Sequence, residues 1–202
     1  VKPIKMFGLA ALTALMAMAF LGASSAMAES TALCGADEAE CASPETHVHE
    51  TSVGKAKLLS SSLNVECNVL FLGDVTTAGG LAEAGTGGLV ISGAFSYSNC
   101  NNSCVVTEEN SPAEILILKE GHETAKVTGE GLVHVNCSGF INCRYNGVGL
   151  KGTGKGPLLS TQANGEVSLS EQTTNKESGS LCPSTAKLDI TTTPLAALYI
   201  TE

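Results

Sequence analysis

Residues 131–151, GLVHVNCSGFINCRYNGVGLK, decide how the rest of the chain is read. Leu132, Val133 and Val135 open the stretch, and Phe140, Ile141 and Tyr145 continue it. β-Branched and aromatic residues at this density favour extended backbone over helix. Asn146-Gly147 supplies a residue pair that accepts positive φ, so a hairpin or tight meander is expected, with Cys137 and Cys143 beside its connection.

The flanking sequence repeats the pattern. Upstream, residues 113–119 hold the EILIL core between Pro112 and Gly121 and read as a strand, with residues 124–128 as its hairpin partner. Leu63, Val65, Cys67, Val69 and Phe71 alternate along another strand, expected to stop near Gly73-Asp74. Residues 89–97 and 105–107 resume sheet composition, whereas residues 76–88, with five glycines, read as a flexible surface connection. Downstream, residues 152–165 are punctuated by glycine and proline, and Val167 and Leu169 form a short strand expected at a sheet edge. The polar run 172–179 has little to bury and is expected to be a mobile loop, followed by terminal strands over 186–190 and 196–200. About nine or ten short strands without an amphipathic helix point to an all-β domain, an antiparallel β-sandwich or a closed barrel, since an open sheet would leave apolar faces and edges exposed.

The chain begins with Lys2 and Lys5, continues through the apolar run 6–23, and reaches Ala26-Met27-Ala28, the pattern of a secretory signal peptide over residues 1–28. Residues 29–57 are then expected as an exposed lead-in, with one strand near residues 50–55, and residues 58–202 as a single β-domain. No second hydrophobic span follows, so no stable membrane span is expected after cleavage. The formal net charge is −9, and removing the two signal-peptide lysines makes the mature chain more acidic still. A nucleic-acid partner, which requires a cationic surface, is excluded on that balance.

Eight cysteines in an exported chain read as disulfides: Cys34, Cys41, Cys67, Cys100, Cys104, Cys137, Cys143 and Cys182. About a hundred connectivities are possible, and only short loops can be argued locally. The simplest map joins Cys34 to Cys41, Cys100 to Cys104 and Cys137 to Cys143, leaving Cys67 with Cys182. The competing map sets Cys67 opposite Cys100 on neighbouring strands. A zinc site is disfavoured by the oxidising compartment and the irregular spacings.

Residues that carry chemistry do not converge in the sequence. His47 and His49, near Glu45 and Glu50, are the densest potential metal ligands, but two imidazoles on one strand face lack the further ligands a metal needs. Residues 149–155, GLKGTGK, match G-x4-G-K, yet Gly156 replaces the hydroxyl residue of a phosphate loop. His122 and His134 have no local nucleophile motif beside them. No catalytic residue, cofactor or metal is therefore assigned.

The segments NVEC, SGAFSYSNC and the cysteine after it, with landmarks Cys67, Phe95, Tyr97, Cys100 and Cys104, resemble uncharacterised secreted cysteine-containing β-domain proteins of soil-type actinobacteria. The resemblance covers chiefly residues 60–108 and implies a bacterial secreted β-domain without an assigned activity. The expectation is a secreted structural or interaction module with an extracellular or cell-envelope partner. Its alternative is a carbohydrate-binding module using Phe95, Tyr97, Tyr145 and Tyr199, and the third reading is a secreted hydrolase with a non-local active site involving His122 or His134.

Overall fold

A computed structural model describes residues 31–36, 42, 44–76, 88–121, 124–138, 140–156 and 165–201. Twelve strands occur among them: β1 (Ala32–Cys34), β2 (His47–Ser52), β3 (Ala56–Leu59), β4 (Asn64–Val75), β5 (Leu89–Ser98), β6 (Cys104–Glu108), β7 (Ala113–Gly121), β8 (Thr124–Cys137), β9 (Ile141–Lys155), β10 (Glu166–Ser178), β11 (Thr185–Pro194) and β12 (Tyr199–Thr201). In β4 the alternation sets Val65, Cys67, Val69 and Phe71 inward while Asn64 and Leu72 are exposed. One apolar face must be covered, and the sheet covers it by curling onto itself.

Ten strands form that sheet, in the order β10-β9-β8-β7-β5-β4-β2-β11, and the pairing of β10 with β11 closes the ring. β2 and β3 succeed one another against β4, through His47↔Asp74 to Thr51↔Leu70 and then Ala56↔Cys67 to Leu59↔Asn64. β6 and β7 do the same against β8, over Cys104↔Cys137 to Glu108↔Val133 and then Ile115↔Gly129 to Gly121↔Thr124. Each split pair acts as one stave, so the domain is an eight-stranded up-and-down barrel. Of the two architectures expected, the barrel is the one formed. Closure removes the unpaired edges, and eight strands leave an interior wide enough for side chains or one small ligand. The stretch 29–57, expected as a lead-in, supplies β1, β2 and the start of β3, and β2 is a wall strand.

Three disulfides gather at one end. Cys67 joins Cys100 with Cα atoms 4.1 Å apart, Cys104 joins Cys137 at 4.0 Å, and Cys143 joins Cys182 at 5.7 Å. This corrects the local map: Cys100 is bonded to neither Cys104 nor any residue of its own turn, Cys137 is not bonded to Cys143, and Cys67 is not bonded to Cys182. The turn after β5 explains the first difference. Its backbone is pinned to β4 by Asn101 N–H donating to Glu66 O, which leaves Cys100 facing Cys67, and Cys104 enters β6 directly opposite Cys137. Register explains the second, because Cys137 pairs with Ile141 and Cys143 pairs with Val135. Cys34 is disulfide-bonded. Its expected partner, Cys41, lies outside the described residues, as do most of residues 76–88 and His122.

Two further expectations are corrected. Asn146-Gly147 is not the turn but part of β9, opposite Leu132 and Gly131; the connection lies between Cys137 and Ile141, beside Cys137 and Cys143 as expected, and Ser138 there takes a φ of 44°. The polar run 172–179 is not a loop, since β10 extends to Ser178 with β9 on one side and β11 on the other. Two neighbours satisfy its backbone, and its one buried side chain, Thr174, donates its hydroxyl to Ala186 O at 3.1 Å. Val167 and Leu169 accordingly sit in a closed wall, not at an edge.

Exposed positions on β9 and β10 include Asn142, Arg144, Lys151, Lys155, Glu166 and Asn175. No helix among the described residues is long and apolar enough to cross a membrane. Inside, one core cluster surrounds the disulfide end with Leu63, Val65, Val135 and Tyr145, and a second fills the other end with Val48, Phe71, Leu89, Ile91 and Ile117. β1 pairs with β12 as a separate ribbon, whose Leu33, with Leu198 beside it, belongs to the second cluster. The ribbon plugs the end opposite the disulfides.

Candidate functional site

The two clusters do not meet. Between them lies a cavity of about 100 Å³, bounded by residues of the wall that include Glu50, Phe95, Tyr97, Glu108, Ile115, Gly131, Leu169, Ile190 and Thr192. Protein interiors pack with few voids larger than a water molecule, so a space of this size is a feature of the barrel. Its wall is predominantly apolar, with Glu50, Thr192, Glu108 and Tyr97 among the polar side chains that line it.

Glu50 is brought inside by strand parity. In β2, His47 and His49 are exposed and Val48 is buried, which turns Glu50 to the interior beside Thr192 of β11. The Thr192 hydroxyl donates to Glu50 Oε2. Burial pushes the Glu50 carboxyl above its usual range, and the Thr192 hydrogen bond opposes part of that rise.

Glu108 is placed by a gap in the wall. β7 pairs with β5 only as far as Ala113↔Gly93, so the next stretch of β5 loses its partner on that side. Glu108, the last residue of β6, fills the gap: its Oε2 accepts the Phe95 N–H at 2.8 Å. Desolvation raises its carboxyl above the ordinary range, and the same N–H lowers it in part. Tyr97, two residues along β5, has its phenol pushed far above the usual range by burial first and by the Glu108 charge second. Among the described residues, Tyr97 Oη and the second oxygens of Glu50 and Glu108 have no protein hydrogen-bond partner.

The other candidates are dispersed. His47 pairs on the outer surface with Asp74, and Glu50 faces the opposite way, so the His47, His49, Glu45 and Glu50 set does not converge. No group of three His, Cys, Asp or Glu side chains among the described residues is placed to hold a metal. His134 lies on the outside, with Nε2 2.8 Å from Asn142 Oδ1 and Nδ1 3.7 Å from Glu109. Glu109 is held by Arg144 through both oxygens at 2.9 and 3.0 Å, so it is an acid already committed to a guanidinium. Residues 149–155 run inside the β9 ladder and form no phosphate-cradling loop. Phe95 and Tyr97 line the cavity and Tyr145 is fully buried, with its hydroxyl donating to Pro183 O at 3.1 Å. These three rings present no external stacking platform.

Comparison with family models, curated proteins and solved structures finds no match. The geometry of the cavity therefore carries the functional reading.

Proposed function

We propose that the chain is an exported, non-catalytic binding module whose barrel interior holds one small ligand. The cavity carries this reading: a closed eight-stranded wall with unfilled space at mid-height, apolar sides and inward polar groups is the arrangement that fixes a ligand's position and orientation. Export is supported by the charged and apolar leader with its Ala26-Met27-Ala28 site, and by cross-strand disulfides, which persist in oxidising compartments. An interaction role fits the envelope or extracellular space, where a bound small molecule is carried, stored or sensed.

The test uses the protein's own optics. With no tryptophan and three tyrosines, tyrosine emission reports on Tyr97 in the cavity and Tyr145 below it. Titrating the secreted protein with fragments of a few heavy atoms should give saturable changes in emission and a concentration-dependent rise in Tm. Gly131→Leu is the blocked control, since a Cβ at Gly131 meets nothing within 4 Å and the longer side chain would occupy the cavity. Equal responses from both proteins, or none from either, would overturn the reading.

A further inference from the structure

Resting on that binding-module reading, we propose that the ligand is a small organic ammonium ion, its alkyl body against Phe95, Ile115 and Leu169 and its N–H groups donating to Glu50 and Glu108. Three observations lead there. First, the cavity presents unused hydrogen-bonding atoms: one oxygen of each carboxylate and the Tyr97 hydroxyl. Glu50 and Tyr97 are enclosed by protein except where they border the cavity. Buried polar groups are normally paired, and an ammonium brings several donors to the free carboxylate oxygens and to the lone pairs of the Tyr97 hydroxyl.

Second, the charges facing the space are of one sign. Glu50 comes from β2, Glu108 from β6, and the exposed Glu130 stands at the cavity's edge where β8 shifts register between Gly129 and Gly131. Among the described residues no lysine, arginine or histidine lines the cavity, so an ionised carboxylate there would take its counter-charge from the occupant. Third, the wall selects the kind of cation. Calcium and magnesium require about six or more oxygen ligands, which this wall does not supply. Apolar side chains and the Phe95 and Tyr97 rings favour an alkyl group and receive a cation at their faces. The volume, about 100 Å³, is below the 150 Å³ or so that accepts benzene, which limits the ligand to about four to six heavy atoms.

The experiment compares butylammonium with butan-1-ol, alike in size and different in charge, on the secreted protein at neutral pH by calorimetry and tyrosine emission. Butylammonium should bind about tenfold or more tightly than the alcohol, and Glu50→Gln with Glu108→Gln should remove most of that preference. Should the double variant fail to fold, Glu108→Gln alone and the wild-type comparison still decide. Equal binding of the two ligands, or an ammonium affinity untouched by the carboxylate variants, would overturn the ammonium inference and leave the binding-module reading standing. Absence of binding by both, with only water found in the cavity, would overturn both.

Discussion

The two ends of the barrel are held by different chemistry. At one end, Cys67–Cys100, Cys104–Cys137 and Cys143–Cys182 tie β4 to the end of β5, β6 to β8, and β9 to the connection between β10 and β11. Even the turn backbone is fitted to a bridge: Gly179 takes a φ of +112°, and a Cβ there would lie 2.3 Å from Cys182 Sγ. At the other end, the β1–β12 ribbon is held against the wall by packing, with Leu33 3% exposed and Leu198 beside it. Cys34 of that ribbon is disulfide-bonded, while the six cysteines of the opposite end pair among themselves. Covalent ties between staves resist local opening, whereas a packed plug opens at the cost of its buried area. Leu33, Leu198 and Glu50 border one smaller space beneath the ribbon.

The largest effect should come from cutting the tied end. Replacing Cys104 and Cys137 by alanine frees a loop with a sequence separation of 33, and loop entropy puts the loss at about 4 kcal/mol. Urea unfolding of the double variant and the wild type measures it. A loss of under about 1 kcal/mol would mean that the register of β6 against β8, not the bridge, holds this end.

Next in size is the plug. Leu33→Ala removes a buried side chain from the upper cluster and should cost about 3 kcal/mol. Hydrogen exchange sharpens the contrast: amides of β1 and β12 should speed up strongly in the variant, while those of β8 and β9 beside the disulfides should change only with global stability. Uniform acceleration across all strands would erase the distinction between the two ends.

Sequence reading reached the tied end and the plugged end unequally. The alternation Val65, Cys67, Val69, Phe71 identifies a wall strand because one inward face is enough to set the period. Of the pairings only the competing Cys67–Cys100 bridge was legible; the preferred local map failed because pairing depends on which staves become neighbours, and the split staves β2/β3 and β6/β7 are created by closure itself. For the same reason the polar residues of β10 read as a loop: nothing local announces that two neighbours will take its hydrogen bonds. The site was hidden by parity. His47 and His49 carry the more conspicuous chemistry but face out, and only the buried Val48 shows that Glu50 shares the interior face. Glu108 follows Val106 at the same parity, a signal present in the sequence but too short to interpret without knowing that β5 lacks a partner there.

A smaller effect tests the packing between the plug and the cavity. Gly73 and Gly93 face each other across β4 and β5, and together they leave the space that the Phe71 ring fills, 4.7 Å from the Phe95 ring. A Cβ at Gly93 would lie 2.5 Å from Leu72 O and 2.6 Å from Phe71 Cζ. Gly93→Ala should therefore destabilise by about 2 kcal/mol, although alanine raises strand propensity. Thermal unfolding decides it, and an unchanged or higher Tm would show that the β4 backbone at Leu72 and Gly73, as well as the Phe71 ring, gives way without cost.

The smallest effect is electrostatic and separates the cavity from both ends. The folded state holds the Glu50 carboxyl above its unfolded value, so the native protein binds this proton more strongly than the unfolded chain. The stability that this proton contributes is complete below the ordinary carboxylate range and is lost as pH rises through the raised folded value. Glu108 shifts in the same direction, Tyr97 stays neutral throughout, and among the described residues no cationic side chain lines the space to reverse the sign. Glu50→Gln keeps an oxygen to accept the Thr192 hydroxyl and removes the charge. The variant should be more stable than wild type at neutral pH, and the difference should shrink toward acid. Measuring Tm for both proteins across that range checks the sign. A variant less stable at neutral pH would mean that the ionised carboxylate is already neutralised inside the barrel, which a copurified cation would do, and dialysis against a competing ammonium before the measurement distinguishes that case.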